Sequence, residues 1–150
     1  MFKKILYPTD FSEDAKKALE YVKKLKVAGT EDVVILHVMQ SSHIEAMTTP
    51  CEWMEGDTEK CIEKMEERLK KEAKNKLNEI AKELSVNTKT VLKIGKPFME
   101  ILKTAEEEKV SLIVMGSHGM GKIEELLIGS VTENVIRHTK VPVLVVKRYR

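Results

Sequence analysis

Four of the seven glycines fall in Gly116-Ser-His-Gly-Met-Gly-Lys-Ile-Glu-Glu-Leu-Leu-Ile-Gly129, directly ahead of Ser130-Val-Thr-Glu133. Glycine lets backbone N–H groups approach a ligand closely and adopt positive φ, and a helix start adds unpaired N–H donors and a dipole that favours anions. The chemistry of such a segment is the holding of phosphate. Ser130 and Glu133 match the Ser-x-x-Glu capping box, which predicts a helix start at Ser130. Two familiar templates do not fit. Gly116-x-x-x-x-Gly121-Lys122 imitates a P-loop, but Ile123 stands where a Ser or Thr would hold magnesium. The dinucleotide fingerprint G-x-G-x-x-G is not met either, because Gly116, Gly119 and Gly121 are spaced G-x-x-G-x-G.

The elements that must position this segment are legible in the apolar pattern. Ile5 to Tyr7 predicts a strand closed by Pro8-Thr9-Asp10, followed by a helix on which Ala15, Ala18, Leu19, Val22 and Leu25 recur until Gly29. Asp32 to Met39 is a near-continuous aliphatic run, the pattern of a strand covered on both faces. Gln40 to Asp57 dissolves into polar residues and reads as a long loop. From Thr58, Ile62, Met65, Leu69, Ala73, Leu77, Ile80 and Leu84 predict one long amphipathic helix. Val86 to Ile94 alternates as a strand, Pro97 opens a helix carrying Phe98, Ile101, Leu102 and Ala105, and Ser111 to Met115 and Val141 to Val146 are two further strands.

This order of β and α elements predicts one domain over residues 1–150, an α/β doubly wound, Rossmann-like five-stranded parallel sheet of order 3-2-1-4-5 with helices on both faces. Ligands bind such sheets outside the carboxyl ends of the strands where the strand order reverses. That rule selects Pro8-Thr9-Asp10 and Gly116-Ser117-His118-Gly119, which face each other in this order.

Bulk composition excludes several classes. The 150 residues are 42% hydrophobic and 33% charged, as in folded proteins, and a net charge of +2 gives no footprint for nucleic acid or an anionic membrane. No apolar run reaches membrane-spanning length, and the N-terminus lacks the pattern of a signal peptide. Cys51 and Cys61 stand ten apart, matching neither a C-x-x-C motif nor paired zinc knuckles, so a reducing cytoplasm is expected. Sharing of a metal by His43, Cys51 and Cys61 finds little support in their irregular spacing.

The spacing G-x2-G-x9-G-[ST], met by Gly116, Gly119, Gly129 and Ser130, resembles the ATP-binding branch of the universal stress protein family. The resemblance extends over Lys4-Ile-Leu-Tyr-Pro-Thr-Asp10, Leu36-His-Val38, Gly129-Ser-Val-Thr-Glu-Asn-Val-Ile136 and Pro142-Val-Leu-Val-Val146, and is weakest between Gln40 and Glu59. It implies that Asp10 sits by a ribose, that Pro8 and Thr9 wall the adenine pocket and that the Val38 backbone bonds the adenine edge. Met115 would pack on the nucleoside. Gly116, Gly119, Gly129 and Ser130 would face the phosphates, Val131 and Thr132 would continue the cradle, and Ser117 and His118 would line the same loop. ATP would carry a divalent cation, Mg2+ or Mn2+, across its phosphates. A homodimer through the edge strand Val141 to Val146 is also implied, against coverage of that edge by the basic tail.

Plainer roles stand beside these. Asp10 and Ser12 are both favoured at helix starts, and capping is compatible with ligation. His118 reads first as a solvated loop residue, with phosphate contact or general base as alternatives, and no catalytic base or Ser-His-Asp set is assigned. His37 and His138 read as packing and helix-end residues. The leading expectation is an ATP-binding stress-response or regulatory switch with an unknown protein partner. A slow or partner-stimulated ATPase and an ATP-independent interaction module are the alternatives.

Overall fold

The computed structural model describes residues 1–118 and 128–147. Its strands are β1 (Lys4–Pro8), β2 (Asp32–Gln40), β3 (Asn87–Gly95), β4 (Leu112–Gly116) and β5 (Val143–Val146). The helices are α1 (Glu13–Leu25), α2 (Ser41–Thr48), α3 (Thr58–Glu83), α4 (Pro97–Glu107) and α5 (Ser130–His138). All strands are parallel in the order β3-β2-β1-β4-β5, as the element order predicts. The reversal lies between β1 and β4, where Ile5 pairs with Leu112.

The two faces have separate cores. Tyr7, Ile35 and Val114 pack against Ala18, Leu19 and Val22 of α1 and Leu77 of α3, while Leu6, Val34, Leu36 and Ile113 pack against Ile101 and Ala105 of α4 and Val135 of α5. Alternate residues of one strand thus serve opposite faces, which is why β1, β2 and β4 read as continuous apolar runs. Ser12 caps α1 by accepting from the Ala15 N–H, and Asp57 caps α3 by accepting from the Lys60 N–H. The buried Tyr7 hydroxyl donates to the Ala15 carbonyl, tying β1 to that helix.

Four expectations are corrected. The segment Gln40 to Asp57 is not a loop, because α2 and a 3₁₀ turn (Thr49–Trp53) occupy most of it. Only Ile44 and Thr48 of α2 are buried, so little apolar periodicity marks it, and the Thr48 and Thr49 hydroxyls satisfy the Ile44 and Glu45 carbonyls at its end. Cys51 and Cys61 form a disulfide that fastens this segment to α3. The last strand begins at Val143 rather than Val141; Pro142 just before it has no N–H to donate, and only its carbonyl joins the ladder, accepting from the Ile113 N–H at 3.0 Å. The alternation read in β3 is only half used: Val86 and Leu92 reach the core, whereas Thr88, Thr90 and Ile94 are exposed on this edge strand. Among the described residues no helix is long and apolar enough to cross a membrane.

Candidate functional site

The turn after β1 is built from its own side chains. The Thr9 N–H reaches the Leu36 carbonyl at 2.8 Å, the Thr9 hydroxyl accepts from the Phe11 N–H at 3.0 Å, and Asp10 Oδ1 accepts from the Ser12 N–H at 2.9 Å. Asp10 therefore shapes the approach to α1, while Ser12 is the cap. Phe11 is held at φ 66, an uncommon conformation for a bulky residue. Its ring lies 4.4 Å from that of His37, centroid to centroid, and Lys76 Nζ stands 5.1 Å from the Phe11 ring.

His37 Nδ1 is 2.8 Å from the Thr9 carbonyl, which can only accept, so Nδ1 carries the proton and donates. Burial pushes the His37 pKa below the ordinary histidine value, an effect that bonding to Thr9 and the nearby Asp10 charge partly offset. The unfolded chain then takes up the proton more readily than the folded one. The His37 contribution is present above about pH 6.5, the unperturbed value, and is lost as pH falls through the folded value. Urea titrations at stepped pH should show a midpoint that drops on acidification from about pH 6.5 toward the folded value. His37→Gln should flatten the dependence, and an unchanged slope would remove His37 as its source.

Across the switch point, β4 brings Met115 and Gly116 to the same end. A Cβ on Gly116 would lie 2.9 Å from the backbone C and O atoms of Asp14, so this glycine is required where α1 passes over β4. The Gly116 carbonyl accepts from the Thr132 hydroxyl at 2.9 Å, and the Ser117 carbonyl accepts from the Gly129 N–H at 2.8 Å. These bonds seat the start of α5 beside the end of β4. The helix does start at Ser130, but its cap is Gly129, whose carbonyl accepts from the Glu133 N–H. The expected capping box is absent: Ser130 is already the first helical residue, and the Glu133 carboxylate bonds Arg137 instead.

His118 is not a solvated loop residue. It is buried, with Nδ1 2.8 Å from Ser117 Oγ and 3.3 Å from Asp14 Oδ2. The serine and the carboxylate converge on one ring nitrogen, whereas a proton relay uses the two nitrogens separately. Nε2 is buried and has no hydrogen-bond partner among the described residues. The trio is a packed polar junction between α1 and β4, and the sequence reading missed Asp14 because a first-turn acid ordinarily faces water.

These elements enclose a cleft of about 630 Å³ at the carboxyl ends of β1, β2 and β4. Pro8, Thr9, Asp10 and Val38 line it from one side, and Met115, Gly116, His118, Gly129, Ser130, Val131 and Thr132 from the other. Ser117 points elsewhere and is not part of the lining, and Gly119 lies outside the described residues. A third wall was not anticipated: His43, Ile44 and Met47 of α2 with Leu69, Glu72, Ala73 and Lys76 of α3. The helical spacing of Leu69, Ala73 and Lys76 was the signal that could have found it.

The model of the Universal stress protein family matches residues 1–147. Universal stress protein MJ0577 of Methanocaldococcus jannaschii is 44% identical over 99% of this chain and 96% of its own length. The solved structure of MJ0577 superposes with a TM-score of 0.85, covering 100% of this chain and 99% of that one. A universal stress protein family member from Arabidopsis thaliana, solved with AMP bound, shares the fold at a TM-score of 0.58 and 22% identity, over 98% of this chain and 92% of that one.

Proposed function

Because the chain belongs to the universal stress protein family, we propose that it binds ATP in this cleft and acts as a nucleotide-dependent regulatory switch. The observation that carries the reading is convergence: Asp10 and Val38, far apart in sequence from Gly129 and Ser130, line the same cavity. Its volume lies within the roughly 300–1,000 Å³ of small-molecule sites. Val38 and Met115 offer an apolar seat for adenine, Asp10 an acceptor for ribose hydroxyls, and the start of α5 unpaired N–H donors for phosphate. Among the described residues no three His, Cys, Asp or Glu side chains gather to hold a metal. An Mg2+ or Mn2+ ion would therefore bind chiefly through phosphate oxygens.

Calorimetry with ATP and magnesium should show one site per chain. Absence of heat, together with absence of nucleotide in the purified protein, would overturn the reading.

The chain is further read as a single domain that pairs with a second copy through β5. That strand is a sheet edge, and Val143, Leu144 and Val145 are only partly buried. Sedimentation at micromolar concentration should give twice the 17.1 kDa chain mass, and a monomer would remove the pairing.

A further inference from the structure

We propose that Cys51, Met54, Cys61 and Met65, once the disulfide is opened, bind one soft monovalent cation, Cu(I), through four sulfur atoms. The 3₁₀ turn and its end supply Cys51-x-x-Met54, and the first turns of α3 supply Cys61-x-x-x-Met65, whose i,i+4 spacing puts both sulfurs on one helix face. The contacts are crossed. Cys51 Sγ lies 3.5 Å from Met65 Sδ, and Cys61 Sγ lies 3.7 Å from Met54 Sδ. Each methionine thus rests against the cysteine of the other element, and the disulfide joins the two pairs into one run of four sulfurs, Met65–Cys51–Cys61–Met54.

The spacing is that of a metal shell. With metal–sulfur bonds of about 2.3 Å, a tetrahedral site has sulfur–sulfur edges of roughly 3.8 Å. Both methionine–cysteine contacts are already near that length. The two cysteine sulfurs must part, which Cα atoms 5.7 Å apart allow by side-chain rotation, and the flexible methionine side chains must close the remaining edges. Cys51 is fully buried and forms the floor, while Met54 is 61% exposed and stands at the open side. An exposed thioether against a cysteine sulfur has no packing role in either core.

Thiolate and thioether ligands select Cu(I) over hard cations, and two thiolates with two neutral thioethers leave a single net negative charge on the complex. The chemistry balances without a change in the metal. A small dithiol reduces the Cys51–Cys61 bond by thiol–disulfide exchange, giving two protein thiols and its own disulfide. Binding of Cu(I) then releases the two thiol protons. The cation would replace the disulfide as the clamp between the 3₁₀ turn and α3, so the two states exclude each other. This inference is independent of what the cleft binds.

The test uses the full chain, reduced with dithiothreitol, desalted without oxygen and titrated with Cu(I) against the chromogenic chelator bicinchoninate. One Cu(I) per reduced chain and none per oxidised chain is expected. Met54→Leu and Met65→Leu conserve volume and should each weaken binding by at least the roughly tenfold that loss of a supporting metal contact costs. X-ray absorption should show a sulfur-only shell of more than two atoms. Circular dichroism on the leucine variants separates a lost ligand from a lost fold, with Met54→Leu, at the exposed position, as the variant least able to disturb packing. Methionine variants that bind like the parent chain, a two-sulfur shell, or tighter binding of Zn2+ than of Cu(I) would each overturn the site.

Discussion

Gly116→Ala should lower the folding free energy by about 3 kcal/mol, the upper part of the range for overpacking a rigid interior. The added methyl would sit 2.9 Å from the Asp14 backbone, and neither side can yield cheaply: one is a central strand, the other the first turn of α1. Moving α1 outward would open the His118–Asp14 contact and pull on Ser12, which caps the same turn. A urea denaturation midpoint unchanged from the parent would show that the helix can shift freely. The same geometry makes Gly116 a poor probe of ligand binding, because a folding defect and an affinity defect would arrive together. Gly129, at φ −63 and ψ 155, has a backbone that any residue adopts and is the cleaner position for that purpose.

Asp10→Asn should weaken ATP binding by roughly ten- to a hundredfold while leaving stability near that of the parent, since hydrogen bonds to charged groups contribute about 1.5–3 kcal/mol. The separation of the two effects follows from the turn. Asp10 Oδ1 accepts from the Ser12 N–H, and an asparagine carbonyl oxygen makes the same Asx turn, so the approach to α1 survives. What is lost is the negative charge facing the cleft. Calorimetry with ATP beside a urea titration reads both quantities. Unchanged affinity would remove Asp10 from the ribose, and a parallel loss of stability would make its role one of turn formation.

The sheet was readable because its strands are covered on both faces, which leaves long apolar runs such as Val33 to Leu36 between helices of clear period. The two turns at the switch point followed from that topology. What escaped reading has identifiable causes. Helix α2 buries two residues on one short face, too few to produce a period. The pairing of Cys51 with Cys61 depends on how the 3₁₀ turn folds back on α3, and a spacing of ten residues carries no information about that. His118 sits beside glycine in the chain and so resembled a loop residue, yet the close pass of α1 over Gly116 buries it against Asp14. The spacing of Gly116 and Gly129 was read as one phosphate motif; in the structure Gly116 is also demanded by helix packing, so part of that signal has a second source.

The single tryptophan, Trp53, ends the 3₁₀ turn two residues after Cys51 and is 85% exposed. Its intrinsic fluorescence comes from one place only, the 3₁₀ turn packed against α2 and α3, the two helices that form the third wall of the cleft. Indole emission is quenched by neighbouring sulfur and shifts with solvent contact. The unlabelled protein therefore carries its own optical reporter of that wall, one that can be followed in real time while the rest of the fold stays spectroscopically silent at the same wavelengths.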